Sequence, residues 1–382
     1  MKKATRLIHA AGEMADPTGA VSYPIYQSVT FAQKDATDFG EWVYSRNSNP
    51  TRAVLEEAIA ELEEGKYGFA FSSGMAAISA TLLMFETGDH IIISRDIYGG
   101  TFRIGQQLLP RYGMKVDFVD ATDIKHIESL LRPDTKALYL ETPSNPLMRI
   151  TDLRKIAVWA KEHGIITICD NTFMSPYLQR PLPLGIDIVV HSATKYLGGH
   201  SDCLAGLVVT DNEELANRIG YMQSTMGAVL GPHDCWLIMR GIKTLKVRME
   251  RQQATAGLLA EWLNNQPGIV EILYPGLPGH PGRDIHFSQA EGPGGILAFR
   301  LENKEKAHCF VNSLRLFIIA SSLGAVESLV SIPAVMSHSG LQEELHQELG
   351  LTPDLIRISV GLEDYEDLKS DISQALRAIS GR

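Results

Sequence analysis

From about residue 50 to residue 240, short apolar β-forming runs alternate with stretches of helical spacing, and this alternation limits the possible folds more than any other feature. The runs at 90–93, 115–119, 137–140, 165–169 and 186–190 read as strands, and 52–64 and 153–163 as helices. Strands that alternate with helices imply a mostly parallel sheet with helices on both faces. A long helical pattern at 235–265 leads into a C-terminal part with strands at 295–300 and 355–360 and helices at 304–314 and 368–379. Residues 1–45 are rich in Gly, Pro and polar residues, so they form an arm with little core of its own. The expected organisation is an arm at 1–45, a larger α/β domain at 46–240 and a smaller α+β domain at 241–382.

Two strand ends carry charge. The run 186–190 feeds into His191-Ser192-Ala193-Thr194-Lys195 and a Gly-Gly break, which puts one amine at the carboxyl end of a buried strand. Open α/β sheets bind ligands at that edge. An amine there is placed to join a carbonyl cofactor covalently, because desolvation and nearby cations lower its proton affinity. The run 165–169 ends in Asp170, 25 residues before Lys195. A buried carboxylate calls for a cation, and the pyridinium nitrogen of pyridoxal 5'-phosphate is one. Alone, Asp170 would read equally well as a helix cap. The stretch Ser72-Ser73-Gly74-Met75 opens an apolar helix, and small residues at a helix N-terminus let backbone amides face a phosphate. Ser192 and Thr194 can add hydroxyl donors.

Composition narrows the class. The chain has 382 residues, a net charge of −10, and 45% hydrophobic and 21% charged residues. It has no basic footprint for nucleic acid or anionic membranes. No apolar run is long enough to span a bilayer, and Met1–Arg6 is not followed by a signal-peptide core. Four scattered cysteines indicate neither a zinc site nor a disulfide framework. A cytoplasmic, metal-independent protein is expected.

The chain resembles the Cys/Met-metabolism family of fold-type I pyridoxal phosphate enzymes. That family includes cystathionine γ-lyase, cystathionine γ-synthase, methionine γ-lyase and the O-acylhomoserine thiolyases. The resemblance runs through Tyr44-Ser-Arg46, Ser72–Ala76, Tyr98-Gly-Gly-Thr101, Glu141-Thr-Pro-Ser-Asn-Pro146, Asp170-Asn-Thr172, His191–His200, Ser322-Leu-Gly324 and Ile356–Gly361. It implies the fold-type I transferase fold and covalent attachment of pyridoxal phosphate at Lys195. It further implies that Ser73, Gly74, Met75, Ser192 and Thr194 hold the phosphate. Tyr98 would stack on the ring and act as acid or base, and Asn145 would bond the phenolic oxygen. Tyr44 and Arg46 would reach the phosphate of a neighbouring subunit, in a homotetramer of dimers that share active sites. Arg357 and Ser322, with Asn145 alongside, would take the substrate carboxylate, and Arg103 a distal carboxylate.

The implied activity is carbon–sulfur γ-elimination on cystathionine, homocysteine or a related thioether, as in transsulfuration. Gly100 stands where methionine γ-lyases carry a cysteine, and Ser321 replaces a glutamate found in many cystathionine enzymes. Alternatives are γ-replacement on an O-acylhomoserine, methionine γ-lyase activity, and a non-catalytic binding protein.

Overall fold

A computed structural model describes residues 1–10, 18–339 and 343–379. The larger of two sheets has seven strands: β1 (Tyr67–Phe71), β2 (His90–Ser94), β3 (Lys115–Val119), β4 (Thr135–Glu141), β5 (Ile166–Asp170), β6 (Ile188–Ser192) and β7 (Gly206–Thr210). Their order is β1-β7-β6-β5-β4-β2-β3, and only β7 runs antiparallel to its neighbours.

Both faces of this sheet are covered, as residue alternation shows. Ile91, Ile93, Tyr139, Ile168 and Val190 pack into one core with the helix Gly74–Leu82, while Ile92, Leu138, Leu140 and Cys169 pack into another with the helix Leu153–Glu162. Burial of each large aliphatic side chain contributes roughly 1.5–3 kcal/mol. Glu141, Asp170 and Ser192 thus end three adjacent strands at one carboxyl edge.

The second sheet contains β8 (Ile269–Leu273), β9 (Ile296–Leu301), β10 (Ile318–Ile319), β11 (Leu329–Ser331) and β12 (Leu355–Ser359), in the order β10-β11-β12-β9-β8. Its pairs are antiparallel apart from β10–β11. Ile356, Ile358 and Val360 enter a third core with Phe299 and Phe310.

One detail departs from the sequence reading. The 235–265 pattern is two helices, Pro232–Ile242 and Leu245–Leu263. At the break the Thr244 hydroxyl donates to the Gly241 carbonyl, and Arg248 Nη2 donates to that same oxygen at 2.8 Å. The expected junction at 240/241 falls inside the first of these helices.

Candidate active site

Lys195 lies three residues beyond β6, in a turn tied by Lys195 N–H to the Ser192 carbonyl and by Thr194 N–H to the Ala205 carbonyl. Its Nζ donates to Ser322 Oγ at 2.9 Å. Burial, reinforced by the Arg357 charge, lowers its pKa from 10.5 to about 8. The amine faces a cavity of about 150 Å³ lined also by Ser73, Gly74, Met75, Tyr98, Asn145, Asp170, Ser192, Thr194, Ser322 and Arg357. Ten residues expected from sequence therefore converge with Lys195 on one space.

Asp170 and Glu141 are register partners on β5 and β4, and both are buried. Burial pushes both carboxyls up, and two acids side by side do not share ionisation equally. Asp170 Oδ1 accepts from the Thr172 amide at 3.0 Å and the Thr172 hydroxyl at 2.5 Å, which pulls it back. Glu141 has the Tyr98 amide at 2.8 Å and lies well above the usual range. Asp170 is thus held lower than Glu141, which burial and the neighbouring acid push further up.

The helix Gly74–Leu82 begins at the cavity wall. Its cap, Ser73, accepts the Ala76 amide at 3.1 Å, which leaves the Gly74 and Met75 amides without acceptors among the described residues. A Cβ at Gly74 would press on Ser192 at 2.9 Å, so only glycine lets the helix end approach this closely. The Thr194 hydroxyl is already bonded to the Ala205 carbonyl at 3.2 Å.

Arg357, on the central strand β12, is fully covered rather than on a solvent face. Its Nη1 donates to Asn145 Oδ1 and its Nη2 to the Ser322 carbonyl, each at 2.9 Å. Its Nε is buried without an acceptor. Burial lowers its pKa from 12.5 to about 10.

Three expected residues lie elsewhere. Arg103 lines a separate shallow groove with Met75, Gly100, Gln107 and Arg111. Along a helix it sits five residues past Tyr98, or roughly 140° further round, so it cannot share that residue's direction. Tyr44 and Arg46 line a third groove with Arg52, Gly227 and Leu230. There the Arg46 guanidinium lies 5.6 Å from the Tyr44 ring centre.

Sequence reasoning gave no role to Glu141, Thr172, Ser337 or His338. Glu141 carried a usable signal, since it ends an apolar run as Asp170 does. Ser337 lines the cavity, and His338 Nε2 contacts the Ile97 carbonyl beside Tyr98 at 3.2 Å. Nothing local marks either one, because the C-terminal part delivers them. Among the described residues there is no group of three His, Cys, Asp or Glu placed to hold a metal, and no helix long and apolar enough to cross a membrane.

A parallel sheet with an amine, a carboxylate and a helix N-terminus at one carboxyl edge defines a fold-type I pyridoxal phosphate enzyme. The model of the Cys/Met metabolism PLP-dependent enzymes matches residues 4–377, and the chain belongs to that family. It is 50% identical to Bacillus subtilis cystathionine gamma-lyase over 99% of this chain and 100% of that one. It is also 50% identical to a Lactococcus lactis subsp. cremoris cystathionine beta-lyase over 97% of this chain and 98% of the other. The crystal structure of Lactobacillus plantarum cystathionine gamma-lyase complexed with L-serine superposes with a TM-score of 0.96, at 44% identity and 99% coverage of both chains.

Pyridoxal 5'-phosphate is the cofactor of this family, and the residues present fit it. The Lys195 amine suits its aldehyde and the Asp170 carboxylate its ring nitrogen. The two open amides at Gly74 and Met75 suit its phosphate.

Proposed function

We propose that the chain catalyses γ-elimination on cystathionine, homocysteine or a related thioether amino acid, releasing 2-oxobutanoate, ammonia and a thiol. The observation that carries this reading is the buried Arg357 guanidinium, with Nε open and Ser322 linking it to the Lys195 amine. A carboxylate paired with that fork lays an α-amino acid against the amine. The 50% identity to the Bacillus subtilis cystathionine gamma-lyase supports the substrate class.

Bound pyridoxal phosphate supplies an electron sink that acidifies the substrate's Cα and Cβ protons. Asp170 holds the ring nitrogen's proton. Ser73, Gly74, Met75 and Ser192 would take the phosphate, and Thr194 would join them by turning its hydroxyl away from the Ala205 carbonyl. Asn145, whose Oδ1 is engaged by Arg357, offers its amide donor to the phenolic oxygen. Lys195, with its pKa brought down to about 8, would remove the Cα proton, give it up, and then remove the Cβ proton whose loss lets the γ-sulfur leave. Tyr98, which lines the cavity, would cover the ring and give a proton to the leaving sulfur. Tyr44 and Arg46 serve the phosphate of an adjoining subunit in a homotetramer. A cytoplasmic setting suits the four unpaired cysteines.

A second reading is β-elimination, favoured by the equally similar Lactococcus cystathionine beta-lyase. Identifying the keto acid released from cystathionine decides between them, because γ-elimination gives 2-oxobutanoate and β-elimination gives pyruvate. Offering O-acetylhomoserine with cysteine completes the test. Fast synthesis with negligible lysis would overturn both elimination readings in favour of γ-replacement.

A further inference from the structure

Behind the cavity lies a buried polar cluster that does not line it. The helix Pro50–Glu63 ends at Glu63, which is 0% exposed. Its Oε1 contacts His191 Nε2 at 2.6 Å and accepts from Asn171 Nδ2 at 2.9 Å. Its Oε2 has no hydrogen-bond partner among the described residues. The Asn171 amide also donates to the Gln179 carbonyl at 2.7 Å, and Gln179 Nε2 donates to the Thr142 carbonyl at 2.9 Å. One carboxylate therefore grips the residue after Asp170, on β5, and the residue before Ser192, on β6.

A carboxylate removed from water, with one oxygen bare, needs a positive charge beside it. Among the described residues the side chain in ion-pair contact with Glu63 is His191, itself 1% exposed and a cation only when both ring nitrogens carry hydrogen. The 2.6 Å contact places a hydrogen between nitrogen and oxygen, as the Nε2–H tautomer or the imidazolium both would, and its shortness is that of a charge-assisted bond. The two strand ends are further laced by the Asn171 amide on the Val190 carbonyl at 2.9 Å and the Ser192 amide on Thr172 Oγ1 at 2.8 Å. That same Thr172 hydroxyl donates to Asp170.

We propose that Glu63 holds His191 as an imidazolium, and that this buried pair is a positioning device: it locks the strand end bearing Asp170 to the one leading to Lys195, and its positive member keeps the Asp170 carboxylate ionised. The proposal rests on pyridoxal phosphate occupying the cavity with its ring nitrogen on Asp170. Burial pushes the Asp170 carboxyl up, while the Thr172 donors and the charge of His191 pull it down. Glu63 and His191 act through Asp170 and do not themselves line the cavity.

The test uses the intact protein, Glu63→Gln, and pyridoxal phosphate as the probe. Glutamine keeps an acceptor for both His191 and Asn171 but removes the charge, so a purely structural role would survive the change. The expected result has two parts. Nitrogen-15 spectra of the unmutated holoenzyme show both His191 ring nitrogens protonated at neutral pH, and Glu63→Gln loses one of those protons. Cofactor affinity of the variant falls roughly tenfold, as loss of a contact supporting a binding group does at metal centres. The thermal midpoint of its cofactor-free form stays near the parent's. A neutral His191 in the parent overturns the proposal, and so does a folded Glu63→Gln that binds pyridoxal phosphate like the parent. If the variant fails to fold, the parent's ring spectrum still decides. A parent that takes up no pyridoxal phosphate refutes the cofactor reading itself, a result distinct from either.

Discussion

Lys195 shows how far one residue's surroundings can be read. Its place after an apolar run was plain in the sequence, but its proton affinity depends on Arg357, 162 positions later, and only the fold brings the two together. Because burial depresses the pKa from 10.5 to about 8, the free amine becomes abundant as pH rises through about 8. The rate at which cofactor-free protein captures pyridoxal phosphate should therefore climb across that interval, as followed by visible absorbance. A climb delayed until near the ordinary lysine value of 10.5 would show an amine open to water. The acid pair gives a second expectation. Asp170→Asn removes the charge facing the ring and should cut kcat/KM by about 100-fold or more, in line with losing one preorganised electrostatic group. Glu141→Gln alters the acid that burial pushes further up and should cost only a few-fold. Equal losses in steady-state assays would contradict this ordering of the two acids. Sequence made Asp170 visible and left Glu141 without a role, because both acids end apolar runs and only their hydrogen bonds separate them.

At the scale of elements, the alternating pattern placed five parallel strands and their helices within a few residues, since strands buried on both faces are continuous apolar runs. It missed β1 and β7. β1 contains Gly68, where a Cβ would collide with the Glu56 carbonyl of the packed helix, so close helix contact interrupts the strand signature. β7 opens with Gly206 for a related reason: a Cβ there would drive into the Ser73 carbonyl at the start of the helix Gly74–Leu82. That contact makes a sharp prediction about the phosphate end of the cavity. Gly206→Ala must displace Ser73 and tilt the open amides of Gly74 and Met75. It should destabilise the fold by about 1–3 kcal/mol, the usual cost of overpacking. Cofactor affinity should fall further than any surface substitution lowers it. Thermal unfolding with and without pyridoxal phosphate separates the two effects, because lost binding shrinks the gap between the two midpoints. An unchanged gap would mean that the helix start does not bind the phosphate.

On the scale of the whole molecule, the arm is covered unevenly: Leu7 is buried in a core, while much of the rest lies open. Among its described residues Val21 is 98% exposed, Phe39 62% and Val29 55%, so these apolar groups find little cover within one chain. Tyr44 at the end of this arm and Arg46 just beyond it lie in a groove of their own, outside the Lys195 cavity. If each arm completes the site of an adjoining subunit, two different defects can repair one another. Lys195→Ala leaves the arm intact, and Arg46→Ala leaves the amine intact. In a mixed dimer of the two, the subunit that retains Lys195 receives a sound arm from its partner, while the other site carries both defects. Random reassortment of an equal mixture should thus restore about a quarter of the parent's sites, from half of the dimers being mixed with one good site each. Each variant alone should remain nearly inactive, and the recovered activity should grow with time allowed for subunit exchange. Sedimentation on the same samples checks that the species stay oligomeric throughout. Activity that never exceeds the sum of the separate variants would show that every site is built from one chain, and the exposed apolar arm would then need a different partner.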